Sequence, residues 1–378
     1  MTGTALAGAT VIAGAIPDDT VSLVVNGQVI TGWTEVRITR RCEGIPNDFE
    51  VGLTALNPTD GSAVVAYAGQ PCTVKVGKDT IITGYIDGDT NAGSADGHRL
   101  GIVGRGKCAD LVDCAAMYPG GQISGATTLQ IASKLAEPYG ISAYQLGIQS
   151  ERTIPQFNLN LGETAQGVID LLCSYNGLLY YEDEDGDLVL ARAGTSTAAS
   201  GFGYGVNVQD WSVTNSVRER FSEYLCAMVS IAAFTEFANT ENIFFKAYDG
   251  NARRFRNMYL IAESVSGSQD VCELRGLWEA ARRAGRGTAV TVVADSWRDS
   301  GGTLWAPNTL APVSLPGLRL GDPAMLCISE VTFIIDNDRG KVAEVTLLPP
   351  AAFQPQPIQI QATPYISGEA KLLGGGTT

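Results

Sequence analysis

Residues 302–353, GTLWAPNTLAPVSLPGLRLGDPAMLCISEVTFIIDNDRGKVAEVTLLPPAAF, decide the fold class of this chain. They predict three strands: the first follows Pro307, the second is the alternating run 325–335, and the third spans 341–348. Apolar and polar residues alternate in these runs, and the turn at 336–340 is rich in Asp, Asn and Gly. This pattern is typical of an antiparallel hairpin with one buried face. The stretch therefore predicts β-structure, and it contains no motif for chemistry.

Size and composition predict several β-rich domains. A chain of 378 residues exceeds the length at which a single core keeps growing, so we expect about two to four domains. Hydrophobic residues make up 45% of the chain, charged residues only 17%, and there are 44 glycines. Glycine is thus more frequent than its usual share of roughly 7%, which favours strands joined by many turns.

The charge balance argues against a DNA-binding protein. The chain has 26 basic and 40 acidic side chains and a net charge of −14. A surface of this sign repels phosphate backbones in general. It is compatible with a conduit through which DNA slides without binding.

The cysteines and the single histidine predict no metal site. None of the cysteines forms a C-x-x-C pair, and His98 is the only histidine, so the usual Cys/His zinc motifs are missing. We expect free, mostly buried thiols in a protein that folds in a reducing cytoplasm. The eight positions are Cys42, Cys72, Cys108, Cys114, Cys173, Cys226, Cys272 and Cys327.

The first half of the chain divides at a change of periodicity. Asn26-Gly27 lies between two alternating runs, which is the strongest short-range signal of a hairpin. Further short strands follow, so residues 20–106 predict a small antiparallel barrel or sandwich. From residue 107 the period becomes helical, and an acidic hairpin follows the helices. Residues 107–195 therefore predict a small α/β domain.

Several ordered segments resemble one protein family, the baseplate hub proteins of contractile phage tails. The opening G-x-L-W-x-P at 302–307 belongs to this pattern, as does the closing L-x-P-P-x-A-F of the quoted stretch. RGKCADLVDC at 105–114, TLQIASKLAEPYGI at 128–141 and YNGLLYYE at 175–182 are similar to the middle domain of that family. The resemblance covers roughly residues 20–353 and identifies a fold, not a reaction.

The resemblance implies a second barrel similar to the first. It assigns residues 205–240 and 302–353 to this discontinuous barrel and leaves 241–301 as a helix-containing excursion. Residues 1–19 and 354–378 are expected to be a flexible N-terminal arm and a flexible C-terminal tail. The expected fold class is mainly β with α+β insertions: two similar antiparallel β-barrel domains of the tube type plus smaller α/β domains.

The resemblance also implies a function. A hub subunit forms a homotrimeric ring that joins the hexameric tail tube to the trimeric central spike and lets DNA pass through its lumen without specific binding. The implied partners are the spike protein, the tube protein and other baseplate proteins, with no membrane insertion. The implied location is the tail baseplate of the virion, after assembly in the host cytoplasm. Two alternatives stay open: a VgrG-like spike or effector-delivery component, and a tail-associated cell-wall hydrolase.

Residues 101–107 fit the spacing G-x-x-x-x-G-K of a phosphate-binding loop. That loop needs a hydroxyl after the lysine to hold Mg²⁺, and the residue at this position is Cys108. We therefore favour a barrel strand that ends in a glycine turn.

The acidic run 182–187 resembles a calcium loop because clustered carboxylates attract hard cations. It lacks the bidentate Glu that closes a twelve-residue loop, since an apolar strand already begins at Leu188. A solvated hairpin tip is the preferred interpretation, and a weak surface cation is the alternative.

Two basic clusters are candidates for phosphate or an acidic partner. One surrounds Phe255, and for it we weigh a protein interface against nucleic acid. The other lies at the end of a helix, where arginines stabilise the helix dipole, so a structural role is favoured. The members are Arg253, Arg254 and Arg256 in the first cluster and Arg282, Arg283 and Arg286 in the second.

Catalysis has no support in the sequence. There is no G-x-S-x-G motif, and His98 falls on an apparent loop after Asp96-Gly97. Nothing singles out a pair of carboxylates for glycoside hydrolysis. We predict no catalytic, metal or cofactor-binding residues, no cofactor, and no enzymatic activity.

Overall fold

The structure is a computed structural model. It describes residues 5–6, 9–11, 19–55, 66–94, 97–148, 153–194, 196–228, 243–262 and 269–353. The predicted tail at 354–378 and most of the predicted arm at 1–19 lie outside these residues.

The first part of the chain is a run of antiparallel strands that starts with the predicted hairpin. Asn26 and Gly27 have φ of 51° and 75°, the left-handed values that a two-residue I′ turn requires at both positions. His98, which we expected on a loop, lies within a strand opposite Ala55 and Gly93. The strands are β1 Ala5–Leu6, β2 Ala9–Val11, β3 Val21–Val25, β4 Gln28–Thr31, β5 Glu35–Arg41, β6 Asp48–Ala55, β7 Pro71–Val76, β8 Asp79–Ser94 and β9 Gly97–Gly106.

The next part is the predicted mixture of helices and short strands. The second helix begins with a capping box between Thr127 and Gln130, and after Pro138 the chain turns away at Gly140 with φ of 66°. The elements are α1 Ala109–Asp113, β10 Gln122–Ala126, α2 Thr128–Ala136, β11 Ala143–Leu146, β12 Ile154–Asn158, α3 Ala165–Asn176, β13 Leu179–Glu182 and β14 Leu188–Ala191.

The last part returns to strands and contains the longest helix. Its elements are β15 Ser196–Thr197, β16 Phe202–Gly203, β17 Val208–Asn215, β18 Glu223–Met228, β19 Ile243–Tyr248, β20 Asn257–Ala262, α4 Gln269–Arg286, β21 Thr288–Ala294, β22 Thr309–Ser314, β23 Ala324–Asp336 and β24 Gly340–Leu348. The Gly/Ser/Thr/Ala composition of residues 194–205 is typical of a linker, but this run carries β15 and β16, which both pair in parallel with β22. The sequence also predicts a strand at 223–232, and the structure describes it, as β18, only as far as residue 228.

Sixteen strands form one continuous sheet, with main order β1-β2-β4-β3-β7-β8-β9-β6-β5-β23-β24-β21-β17. The protein is thus mainly β, as predicted, but the described residues close no barrel. β21, which we expected in the excursion 241–301, lies in this sheet between β24 and β17. Its alternating apolar residues are buried there, so tertiary burial, not chain order, decides its place.

One strand order occurs twice in this sheet. The sequence-ordered strands β5 to β9 lie side by side as β7-β8-β9-β6-β5, and β17, β21, β22, β23 and β24 lie as β22-β23-β24-β21-β17. Every contact within each group is antiparallel. The long middle strand of each group also has a register shift, between Ile86 and Gly88 in β8 and between Ile328 and Glu330 in β23. We call these groups the first and the second five-strand group.

Buried apolar side chains form four hydrophobic cores among the residues that the structure describes. The largest runs through both five-strand groups and includes the buried rings of Phe49, Trp297, Trp305 and Phe333. A second lies within the α/β part, a third lies at the contact between that part and the C-terminal strands, and a fourth packs α4 on the small sheet β19-β18-β20. All eight cysteines are free, and all but Cys114 are buried, as predicted. None of the described helices combines the length and apolar character needed to cross a membrane.

Candidate functional site

The phosphate-loop interpretation of residues 101–107 is not supported by the geometry, because the backbone donors at its end already have partners. The N–H of Gly106 donates to the Asn47 carbonyl at 3.0 Å, and that of Cys108 donates to a Glu182 carboxylate oxygen at 2.8 Å. A Cβ on Gly106 would collide with this carboxylate. A carboxylate from the same chain therefore accepts the hydrogen bond that a phosphate would need.

The buried carboxylate of Glu182 ties three segments together. One oxygen accepts from Cys108 at the start of α1, and the other accepts from the N–H of Asn47 at 2.8 Å. The Asn47 amide returns a bond to the Glu182 carbonyl at 3.0 Å. Burial raises the pKa of the Glu182 carboxyl to about 7, although the two N–H donors act in the opposite direction. We expected Glu182 at a solvated hairpin tip, but its side chain is buried.

The remainder of the acidic run is the hairpin tip that we preferred. Asp183 accepts from the N–H of Asp185 at 2.9 Å and from that of Asp187 at 2.8 Å, so its carboxylate caps the turn. It also accepts from the Tyr144 hydroxyl at 2.9 Å, and Glu184 pairs with Arg40 at 3.0 Å. Across the ranges that the structure describes, no three His, Cys, Asp or Glu residues gather in a way that suits a metal ion.

The arginines at the end of α4 line a pocket of about 380 Å³ together with Glu219 and Glu279. Arg282 pairs with Glu43 at 2.6 Å, and Arg286 contacts the same carboxylate. Arg283 pairs with Glu279 at 2.6 Å and with Glu219 at 2.9 Å. Since Glu43 belongs to the β5–β6 connection, these pairs fasten α4 to the first five-strand group and give the cluster a structural role.

The cluster around Phe255 behaves differently. Arg256 donates to the carbonyls of Val217 and Arg218, both at 2.8 Å, and its guanidinium lies over the Phe221 ring. Arg253, Arg254 and Phe255 stay exposed, with 75% of the Phe255 surface accessible. This surface is accessible to a partner, but the exposed side chains do not identify which kind of molecule would bind.

The two five-strand groups meet where β5 pairs with β23, and we call this contact the seam. The Oγ1 atoms of Thr39 and Thr332, 293 residues apart, lie 3.2 Å from each other and are buried. Arg41 bridges to Asp48 at 2.6 Å and reaches Glu330 at 3.5 Å, so it connects strands on both sides of the seam. Neither threonine was singled out from the sequence, because alternation along one strand does not specify its partner strand.

A second ion-pair group, centred on Arg298, joins other parts of the chain that are distant in sequence. Arg298, just after β21, donates to Asp19 at 2.6 Å and to Asp79 at 2.7 Å. The Arg298 side chain keeps 19% of its surface accessible, so the pairs are shielded from water over most of their contact. Asp19 lies just before β3 and Asp79 is the first residue of β8, so Arg298 links the chain after β21 to two of the N-terminal strands.

These features define a class: a mainly β protein whose described polar clusters serve packing between its parts. Sequence profiles of phage baseplate proteins match three successive segments of the chain. Residues 20–106 match the N-terminal domain of Mu phage baseplate assembly protein GpP-like proteins, residues 108–192 match the second domain of baseplate hub protein gp44-like proteins, and residues 268–356 match the fourth domain of GpP.

The chain belongs to the phage baseplate hub family. It is 32% identical over 342 residues to the baseplate hub protein gp44 of Escherichia phage Mu, covering 89% of both chains. The 43 kDa tail protein of prophage MuSo2 from Shewanella oneidensis has a similar structure, with TM-score 0.79, 29% identity and coverage of 89% of this chain and 100% of that chain. A tail protein of Neisseria meningitidis MC58 shares the fold at 20% identity, with TM-score 0.75 and coverage of 89% and 98%. The resemblance recognised in the sequence is thereby confirmed.

Proposed function

We propose that this chain is a structural subunit of the baseplate hub of a contractile phage tail. Three copies form a ring that joins the hexameric tail tube to the trimeric central spike. The observation that carries this proposal is the repeated strand order, which gives each chain two modules of the same topology. Three chains then present six modules to a six-fold tube while keeping three-fold symmetry towards the spike.

The modules correspond to the two barrels expected from the sequence. In this proposal the first is built on residues 20–106. The second is built on 205–228 and 302–353 together with β21, which the structure places in the same sheet. The α/β part at 107–195 and the remainder of 241–301 then lie beside the ring-forming strands.

The proposed role requires no chemistry. The phosphate-like loop, the acidic run and the α4 arginines are each engaged within the chain. We propose that the subunit is not an enzyme and has no cofactor. We place it in the tail baseplate of the virion, after assembly in the host cytoplasm, where the free thiols stay reduced.

A spike or effector-delivery role of the VgrG kind is the second candidate, because one observation favours it. The chain has the fold of part of the Francisella PdpA–VgrG complex in its half-lidded form, with TM-score 0.54 and coverage of 90% of this chain and 59% of that chain. At 7% identity this likeness concerns the fold alone. The two roles differ in what the ring holds, so binding to purified tube and spike proteins distinguishes them.

Mass and shape in solution test the main proposal. A trimer has three times the chain mass of 39.8 kDa, about 119 kDa, and electron micrographs should show three-fold rings with a central hole. A mass of one chain at every concentration tested would refute the ring. DNA at physiological salt should not be retained by the ring, since the net charge is −14. Clearing of a peptidoglycan gel would instead support the hydrolase alternative.

A further inference from the structure

The two five-strand groups can be matched residue by residue on the long strands. The register shift lies just before Gly88 in β8 and just before Glu330 in β23. Counting two residues onward from each shift makes Thr90 equivalent to Thr332. The residue types are identical at this pair of positions, although most others differ.

The same matching extends to the outer strands. In the first group, the residue pairings connect β8 through β9 and β6 to β5. In the second group, they connect β23 through β24 and β21 to β17. The successive equivalent positions on this route are Gly104 and Leu347, Phe49 and Val290, and Ile38 and Val213. Thr214 is therefore equivalent to Thr39.

Thr39 and Thr332 face each other at the seam within the chain, in the ladder that runs from Val36↔Ile335 to Arg41↔Glu330. The equivalent positions, Thr214 and Thr90, do not face each other. Within the described ranges, the ladder of β17 is formed with β21, apart from one isolated bridge between Val208 and Tyr204, and the ladder of residues 88–94 of β8 is formed with β9. Each chain thus carries both halves of a second seam at separate places.

We infer that the second seam forms between copies: β17 of one subunit pairs antiparallel with residues 88–94 of β8 of its neighbour, with Thr214 opposite Thr90. This inference rests on the proposed ring and specifies the contact that builds it. It is a head-to-tail contact, which closes into a ring when the rotation per chain allows it. An exposed strand edge is a ready template for such pairing.

The side chains on β17 fit this arrangement. Trp211 and Val213 are half-buried against the main core, whereas their equivalents in β5, Val36 and Ile38, are buried. The inferred register places Trp211 opposite Gly93 of the neighbour, so the indole covers a position without a side chain. A strand from the neighbouring subunit would therefore bury Trp211 and Val213 of β17 in the way that β23 buries Val36 and Ile38 of β5.

The backbone also fits. The N–H of Cys42, after β5, donates to Ser329 of β23, and the N–H of Ser216, after β17, donates to Gly287 towards β21. Backbone N–H and C=O groups alternate between the two edges of a strand. The N–H and C=O of Thr39 therefore point away from β23, and those of Thr214 point away from the open edge of β17. Thr39–Thr332 and the inferred Thr214–Thr90 are therefore both non-hydrogen-bonded pairs, in which Cα atoms lie roughly 4.5 Å apart.

Disulfide trapping tests the register. Thr90→Cys combined with Thr214→Cys should form a bond between chains on mild oxidation, because the expected Cα separation of roughly 4.5 Å lies within disulfide range. Non-reducing gels should show covalent dimers and trimers for the double variant that are missing or much weaker for either single variant. The matched control joins Thr90→Cys with Ser212→Cys, which is two residues out of register and roughly 7–8 Å away. A Thr39→Cys, Thr332→Cys variant should form the bond within one chain.

The outcomes separate the inference from the proposed function. Light scattering under reducing conditions first shows whether each variant keeps the trimer mass. A trimer in which Thr90 and Thr214 do not cross-link, or in which the out-of-register pair links equally well, would overturn the inferred seam while leaving the ring intact. A mass of one chain for the unmodified protein would overturn both.

Discussion

Replacing Glu182 by Gln should change how the stability of the protein depends on pH. Glu182 is buried, and its pKa is raised from 4.5 to about 7 in the folded protein, chiefly because burial disfavours its charge. Below pH 4.5 the carboxyl is protonated in both states and costs nothing. As the pH rises through 7 it ionises in the folded protein too, and the stability present at low pH is lost.

The size of the effect follows from the two pKa values. A rise from 4.5 to about 7 corresponds to roughly 3 kcal/mol over the whole range, since a tenfold change in proton affinity is about 1.4 kcal/mol. Between pH 5 and pH 8 we expect about 2.5 kcal/mol of this. The side chain of Glu182→Gln stays neutral at every pH. Like the protonated acid, it can accept a hydrogen bond from only one of the two N–H groups of Asn47 and Cys108 through a carbonyl oxygen, and it places its own donor beside the other. The stability of the variant minus that of the unmodified protein should therefore rise by about 2.5 kcal/mol between pH 5 and pH 8.

Urea unfolding at four pH values from 5 to 8, followed by circular dichroism at one fixed protein concentration, measures this difference. Asp185→Asn at the exposed tip of the same hairpin is the matched control, because it removes the same charge without changing a buried group. Its stability should stay parallel to that of the unmodified protein. A Glu182→Gln difference that is constant across this pH range would refute the argument, because it would mean that the buried carboxyl does not change its charge there.

Three further outcomes are expected. Gly104→Ala should lower the free energy of unfolding by about 2 kcal/mol, since its Cβ would collide with the Tyr85 carbonyl and the Phe49 ring. Gly101→Ala, whose Cβ would only come into van der Waals contact with Thr90, should change it by less than about 0.5 kcal/mol in thermal or urea unfolding. Glu43→Gln should cost about 1–2 kcal/mol in 50 mM salt and less in 1 M salt, because the α4 arginines that it holds are partly accessible; an equal loss at both salt concentrations would contradict this explanation. A small thiol reagent should modify one cysteine per folded chain, Cys114, and all eight after unfolding; rapid reaction of a second thiol in the folded protein would be inconsistent with the burial.

Local elements were readable from the sequence because their signals are local. Asn26-Gly27 predicts its hairpin since these residues tolerate positive φ, and the observed values of 51° and 75° agree. The end of α2 agrees with Pro138 and Gly140, because proline disrupts α-helical hydrogen bonding and glycine adopts the left-handed conformation with which many helices end. The long alternating run near the C-terminus became β23 because period-two burial is written into the residue order.

The sequence by itself determined the mainly β class, most of the longer strands, the free thiols, the acidic charge and, through ordered motifs, the family. Only the tertiary structure decided which strands pair, that β5 meets β23 with Thr39 beside Thr332, and that Glu182 is buried while its acidic neighbours stay at a turn. The physical reason is distance along the chain. Turns and periodicity depend on residues a few positions apart, whereas the seam joins residues 293 positions apart, and many strands of similar alternation compete for each edge.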